Sequence, residues 1–519
     1  MGMVAPGQRI ASAFVVTCGA YGAVTRQADE RGVCRQRLYR ESAAVVVAIE
    51  GTAHRQQIEE LEQRVRDWQT RVAELVQRLS LAVVVDEDKQ AEFAATAQAE
   101  GVSLPVAWRL LRVLLEKSNP SVAKMGRWTK AASDRATALL AVLDEHSRPL
   151  VQQAAADEIY VGGKPILMVV EQVSLCWQSG RLAAHADGAN WTQEFQAYPA
   201  LTQVSRDAGT GLGKGLATIN AKRQQEGLSA VGDQLDHFHT LREGNRALRI
   251  TKLRVERAMT TADEAQRELA WLERQGQSVA GHATHVAVCW RRAEQCLDDW
   301  SHKEQAWQRI QKALRLYTPN GELNDRTGAE AQLAEVLPVL TGAEWAKTKR
   351  LLRRAETFTF LESVHKQMTN LPIAHEIRDA AVRSEGLRRH PELLQGDNTQ
   401  AAVTRGLALV WGLILAKAGA AGQAALDGVR AVLRQTWRAS SLVEGINSVV
   451  RMQQARHRRM TQGLLDLKRL YWNTREFRTG KRKGKSPYEH LGLRIPNGTW
   501  WELLKLTPEQ LREQLSAPP

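Results

Sequence analysis

The spacing of apolar positions along this 519-residue chain changes character several times. Residues 9–50, which hold the stretch IASAFVVTCGAYGAVTRQADERGVCRQRLYRESAAVVVAIE, read as short helices. An apolar helix precedes a turn at Gly19–Gly22; a helix from about Ala23 to Asp29, a turn at Gly32 and a basic helix from near Cys34 follow. Between 53 and 82, Ile58, Leu61, Val65, Trp68, Val72, Leu75 and Leu79 alternate spacings of three and four, a heptad seam with charged residues between. So narrow a seam asks for a partner helix, either from a second copy of the chain or from elsewhere in the same one. Residues 83–150 stay helical, with GVSLPVAWRLLRVLL (Val102 to Leu115) and, beyond Pro120, a segment carrying Arg127 and Lys130.

Near residue 155 the period shortens to that of strands. DEIYVGG, PILMVVEQVSLCWQ and GRLAAHA read as three strands separated by Gly-Gly-Lys-Pro and Ser-Gly turns. A short helix around Trp191–Tyr198 leads to the strand LTQVSRD, a helix opens at Gly209–Gly215, and LSAVGDQLDHF supplies another strand. Long helices with Trp271, Trp290, Trp300 and Trp307 occupy 241–316, and the helical pattern runs on through 430. The resulting divisions are 1–52, a 53–82 coiled-coil segment, helical 83–150, mixed α/β 151–240, all-helical 241–435, a closing 436–493 and a C-terminal 494–519.

Length predicts roughly three domains, and 43% apolar residues suffice for their cores. The charge balance is less ordinary: 71 Lys+Arg against 57 Asp+Glu, a net +14 with pI near 9.7, draws polyanions. No run approaches the roughly 18 apolar residues of a bilayer span. The opening MGMVAPGQRI lacks a basic, apolar leader, so no membrane partner is expected. Five scattered cysteines fit reduced thiols in a cytoplasmic protein.

Two places concentrate positive charge. The helix near Cys34 brings Arg35, Gln36, Arg37 and Arg40 together, with Leu38 and Val45 left to pack inward. Arg and Gln suit guanine and adenine edges, and a short turn before a basic helix is the helix-turn-helix plan. A small bundle with a solvated basic face has the same pattern. Val102–Leu115 could be the second helix of a further unit of this kind. From Arg451 to Lys485 there are twelve Lys/Arg and two acids, among them Arg456, Arg458, Arg459, Lys481, Arg482, Lys483 and Lys485. The Gly-Lys-Arg-Lys-Gly-Lys run has no helical face to bury, which points to an anion such as DNA phosphate. Tyr471, Trp472 and Phe477 lie among these cations, placed either to pack or to stack on an unpaired base.

The acids define the candidate chemistry. Asp157 opens the first strand and Asp207 ends VSRD before a Gly-rich turn. A lone Asp at a strand end is ordinarily a turn or cap residue; two, on the first and fourth strands of one sheet, suggest a shared site. Phosphodiester cleavage needs an in-line oxygen nucleophile and positive charge on both attacking and leaving oxygens, and Mg²⁺ ions held by carboxylates supply it. In SSLVEGINSVVR, Ser440 or Ser441 caps a helix with Glu444, Asn447, Ser448 and Arg451 on one face. Glu385 and Glu362 compete for the third acid. His282, His285 and Cys289 lack a fourth zinc ligand. The glycines at 209, 211, 213 and 215 lack the Ser/Thr that follows Lys in a phosphate loop.

The blocks DEIYVGGKPILMVVE, VSRDAGTGL and SSLVEGINSVVRMQQARHRR resemble, in order, the first-Asp, second-Asp and Glu blocks of DDE transposases of bacterial insertion sequences. Asp236–His237–Phe238–His239 is similar to the family's Cys/Asp-x-x-His motif at Asp236 and His239. The resemblance covers about 155–240 and 436–493, under a third of the chain. It implies an RNase H-like core interrupted by a large helical insertion, preceded by helix-turn-helix and coiled-coil segments. It implies Asp157, Asp207 and Glu444 as ligands of two Mg²⁺ ions, with Mn²⁺ an alternative, and a supporting place for Asp236 and His239; Asn447 and Arg451 are expected in support because helical spacing sets them on the face of Glu444. The implied partners are double-stranded DNA, at element ends and target, and further copies of the chain as a homodimer or higher oligomer. The implied location is the bacterial nucleoid. Glu158 and Glu171 lie close enough to the first block to compete there. A helix-turn-helix regulator without catalysis and an RNase H-like nuclease without strand transfer remain the alternatives.

Overall fold

The computed structural model describes residues 6–50, 55–81, 85–115, 120–318, 320–389, 399–456, 460–495 and 498–516. They fall into two compact units, Met1–Asp86 and Glu87–Pro519.

In the first unit, α1 (Pro6–Cys18), α2 (Ala23–Glu30) and α3 (Arg35–Glu50) are joined at Gly22 and Gly32. Both glycines take left-handed φ values, 85° and 62°, as the turns read from the sequence require. Leu38 is fully buried, and Arg31 and Ser12 meet the Glu41 carboxylate at 3.1 and 3.0 Å, closing the bundle. Val45 is half-buried. The heptad segment is one helix, α4 (Arg55–Leu81), whose Leu61, Val65, Trp68, Val72 and Leu75 are all exposed.

The second unit opens with α5 (Glu87–Ala99), α6 (Leu104–Leu114) and α7 (Val122–Ser147). Then come β1 (Gln153–Val161), β2 (Lys164–Glu171), β3 (Trp177–Leu182), α8 (Gly188–Gln196), β4 (Gln203–Arg206), α9 (Thr210–Gln225) and β5 (Gly232–Leu235). The helical stretch comprises α10 (His237–Arg274), α11 (Ala280–Ala313), α12 (Arg326–Val336), α13 (Ala346–Leu352), α14 (Thr359–Thr369), α15 (His375–Arg389), α16 (Thr399–Lys417) and α17 (Ala420–Arg434). The chain closes with α18 (Ser441–Arg456), α19 (Gln462–Thr474), α20 (Pro487–Leu491), α21 (Trp500–Leu503) and α22 (Pro508–Ser516).

The sheet order is β3-β2-β1-β4-β5. β1, β2 and β3 form an antiparallel meander, while β4 and β5 join in parallel, each after a crossover helix. Side chains alternate in β1, so Ala154 and Ala156 face the core of α8 and α9, whereas Ala155, Ile159 and Val161 face α18 and α19. A Cβ on Gly211 would collide with the Ala186 carbonyl, and one on Gly215 would stand 2.5 Å from Trp191 Cβ. These glycines therefore serve the close approach of α9 to α8.

Three boundaries differ from the sequence reading. The run PILMVVEQVSLCWQ is not one strand. β2 stops at Glu171, whose carboxylate accepts the Val173 and Ser174 amides at 3.1 and 2.6 Å, and Leu175 turns the chain at φ 63° before β3 begins. Asp157 does not open its strand: β1 starts at Gln153, because the Ala154–Ala156 run is small enough to be buried on both faces. The segments 83–150 and 494–519 are not separate additions. Ala95, Leu139, Leu143, Leu467, Trp501 and Leu511 share one core, and Trp501 Nε1 donates to Asp88 at 3.0 Å. Within the predicted Val102–Leu115 the helix is α6 (Leu104–Leu114), which follows α5 after a turn with Gly101 at φ 88°. Among the described residues no single helix is long and apolar enough to cross a membrane; α16 and α17 pass that test only as a pair, bent by 119°.

Candidate active site

The site lies where the parallel β1–β4 ladder ends. That ladder runs from Gln153↔Gln203 to Ala156↔Arg206, so Asp157 and Asp207 are the next residue of each strand's course. Asp157 shares the odd-numbered face of β1 with Ile159, pointing toward α18, and only 6% of it is exposed. Its Oδ2 accepts Asn447 Nδ2 at 2.7 Å and its Oδ1 accepts the Glu158 amide at 2.8 Å. Burial, then the negative charges of Asp207 and Glu444, push its pKa up to about 7; the Glu158 amide and Arg451 pull the other way. Asp157 thus feels the charges of two acids, Asp207 and Glu444, that lie 50 and 287 residues further along the sequence.

Asp207 turns the chain into α9, its Oδ1 accepting the Gly209 amide at 2.8 Å. Beneath it Arg206 is almost wholly buried; its guanidinium donates to the Asp207 carbonyl at 3.0 Å and pairs with Asp233 and Glu356 at 2.5 and 3.5 Å. Glu444 sits in the first turn of α18, half-buried and paired with Arg451 at 2.7 Å. Val443, Ile446 and Val450 bury one face of α18 on the sheet, with Asn447 beside them and Glu444 at the margin, which is what carries Asn447 and Glu444 to β1.

Asp236 and His239 stand at the start of α10. The Asp236 carboxylate caps that helix through the Phe238 amide and accepts the Ser440 hydroxyl, tying the end of β5 to the residue before α18. His239 Nε2 lies 3.7 Å from Asp236 and has no hydrogen-bond partner among the described residues. His237 between them is buried, bonded to the Thr357 carbonyl at 2.7 Å and lowered by desolvation to a pKa of about 4, so its ring is neutral. Asp236 thus joins the start of α10 to the residue before α18.

Among the described residues, no group of three or more His, Cys, Asp or Glu side chains is gathered closely enough to hold a metal ion. Here Glu444 turns to Arg451 and Asp157 to Asn447. The donor chemistry nevertheless fits a hard divalent cation: three carboxylates, no thiolate or imidazole among them, and an acid whose pKa is raised first by burial and then by like charges that a cation would offset.

The basic residues singled out in the sequence fall in two segments. Arg35, Gln36, Arg37 and Arg40 are all exposed on α3 in the first unit, Arg37 paired with Glu41 at 3.3 Å. Lys481, Lys483 and Lys485 are exposed beyond α19. Arg482 is engaged internally, donating to the Val173 and Gln172 carbonyls at 2.8 and 3.3 Å. The Arg456 side chain, and Arg458 and Arg459 altogether, lie outside the described residues. Trp472 Nε1 donates to the Leu175 carbonyl at 2.9 Å under the Arg475 guanidinium, and the Tyr471 hydroxyl donates to Glu100 at 2.7 Å, so both rings pack. Cys289 approaches His285 at 3.6 Å within an α10–α11 contact. Glu385 is held below the usual carboxylate range, near 2, by Arg388, Arg430 and Arg389 despite its burial, so it is an ion-pair centre and no rival third acid.

Arg206 escaped the sequence reading as a site component, and Glu158 entered it only as a competitor of the first acid. Glu158, on the opposite face of β1, accepts Trp191 Nε1 at 3.1 Å, and its pKa is raised by burial and by Asp207. Strand parity alone separates it from Asp157. Arg206 gave no signal, since a buried arginine in VSRD looks like any basic residue. No family model matches the chain, and no curated protein matches it in sequence.

Proposed function

We propose that this chain is a DDE-type transposase that cuts DNA at the ends of a mobile element and joins the freed ends to a target. The observation carrying the reading is the convergence of Asp157, Asp207 and Glu444 at the carboxyl end of β1–β4. The sheet order β3-β2-β1-β4-β5, meander first and parallel strands after, supports the reading of an RNase H-like core, as does the mostly helical stretch of about 200 residues between β5 and α18.

Two Mg²⁺ or Mn²⁺ ions held by Asp157, Asp207 and Glu444 would supply positive charge at the attacking and leaving oxygens. The chain's own groups set the rest. Asn447 fixes the Asp157 carboxyl, the Gly209 amide fixes Asp207, and Arg451 holds Glu444 until it is exchanged. A water oxygen attacks phosphorus and the P–O3′ bond breaks, leaving a 5′-phosphate and a 3′-hydroxyl. That hydroxyl then attacks a target phosphodiester and expels its 3′-oxygen, so one ester replaces another with no covalent enzyme intermediate.

The α3 helix reads DNA, and the exposed stripe of α4 pairs with a second copy of the chain. β-Branched Ile58, Val65 and Val72 at one core position, with Leu61 and Leu75 at the other, favour a two-stranded parallel pair. The protein works in the bacterial nucleoid. Asp207→Ala is the test: it should retain DNA binding and lose Mg²⁺-dependent cleavage by at least a hundredfold, with strand-transfer products seen only for the parent chain. Cleavage unchanged in Asp207→Ala refutes the reading; cleavage without joined products reduces it to a nuclease.

A further inference from the structure

A cleft of about 330 Å³ opens at Asp207. Gly209, Leu235 and Asp236 form the sheet side; α10 and α13 of the helical stretch form the other, with Arg242, Lys347 and Arg350. Arg350 also lines a second hollow of about 430 Å³ that continues to Lys349 and Arg353. A run of cations therefore leads from Asp207 outward along α13, whose Thr348, Leu351 and Leu352 face inward.

The charges on this run are mostly uncompensated. Glu243 in the cleft is taken by Lys347 at 2.9 Å, and Asp236 is saturated by the Phe238 amide and Ser440 hydroxyl. Among the described residues no ion pair engages Lys349, Arg350 or Arg353. Nor is α13 loosely attached. The 3-10 turn Ala355–Thr357 that follows it is stitched to the sheet: Glu356 pairs with buried Arg206, and the Thr357 carbonyl accepts His237 and Gln234 at 2.7 and 3.3 Å. The Gln234 side-chain Oε1 in turn accepts the Phe360 amide at 2.7 Å. These bonds hold the cations in fixed register with Asp207, whereas mere solubility would require no such register.

From this we infer that the helical insertion provides a seat for the sugar-phosphate backbone of the DNA strand next to the scissile bond, formed by Lys349, Arg350 and Arg353 with Arg242 and Lys347 at its inner end. The inference rests on the proposed function, and it gives the insertion a part in the site beyond separating its acids. Arginine forks suit successive phosphates, and such contacts position a strand without reading its sequence.

The test uses the whole chain. With a labelled duplex and EDTA present, K349Q/R350Q/R353Q should bind at least tenfold more weakly. The slope of log affinity against log salt should shrink by roughly 2–3, near 0.9 per lost phosphate contact. K349R/R350K/R353K should bind as the parent does. Independently of any variant, DNA should protect Lys347 and Lys349 of the parent chain from amine acylation, read by mass spectrometry. A parent chain that cleaves DNA while both lysines stay unprotected and the triple Gln variant keeps the full salt slope overturns the seat alone. A parent chain with neither salt-dependent DNA binding nor cleavage overturns the function, and the seat with it.

Discussion

Helices α4 and α18 are both amphipathic, yet they end in opposite situations. In α18, Val443, Ile446 and Val450 disappear against the sheet, and this fixes Asn447 beside Asp157. In α4, Leu61, Val65, Trp68, Val72 and Leu75 remain 37–62% exposed. The heptad seam of α4 is as regular as any in the chain, so pattern does not distinguish them. What distinguishes them is supply: α18 meets a sheet that already presents Ala155, Ile159 and Val161, whereas the stripe of α4 stays exposed, the face that the proposal assigns to a second copy of the chain. An apolar face is thus evidence for a partner, and only the fold says whether that partner is internal.

The contrast can be broken most strongly at Ile446. Ile446→Ala should destabilise the second unit by about 2–5 kcal/mol through the cavity it leaves under α18, measured by denaturant unfolding. Asn447 would move with the helix, so cleavage should fall as well. Asp157 comes next. Its carboxyl rises from an ordinary 3.8 to about 7 in the folded chain. Between those values the folded chain holds a proton that the unfolded chain lacks, so without divalent cation stability should fall as pH rises from about 4 to about 7. Asp157→Asn should flatten that slope and leave the variant more stable at pH 8, though inactive; an unchanged slope in thermal unfolding across that range contradicts the electrostatic account. Leu175→Gly, which relieves a left-handed φ of 63°, should change stability by no more than about 1 kcal/mol. Smallest for the core are Val65→Glu and Val72→Glu together in α4. They should leave unfolding of the second unit unaltered while converting a dimer to a monomer in sedimentation. Loss of core stability there would mean that α4 packs within its own chain after all.

Much of this was legible in the sequence, for identifiable reasons. Glycine punctuation placed the turns at Gly22 and Gly32, because only a residue without Cβ takes those φ values cheaply. Helical spacing placed Glu444, Asn447 and Arg451 on one face, and the structure finds Asn447 on Asp157 and Arg451 on Glu444. The start of β1 was missed because Ala154–Ala156 has no alternation to detect. The break after Glu171 was missed because it is made by a side chain accepting amides two and three residues on, with no Gly or Pro to announce it. The core shared by α7, α19 and α22 joins residues hundreds of positions apart, and no local pattern reports such a contact. The same holds for Arg206 and for the cations of α13, which acquire meaning only from what the fold sets beside them.

The central claim, that three acids distant in sequence surround one divalent-ion site, can be probed without DNA. Fe²⁺ replacing Mg²⁺, with ascorbate and peroxide, generates hydroxyl radicals that cut the backbone beside the bound ion. The account predicts cuts clustered near residues 157, 207 and 444, competed by Mg²⁺ and abolished together in Asp207→Asn. Cuts confined to one of these segments, or surviving unchanged in that variant, would contradict it.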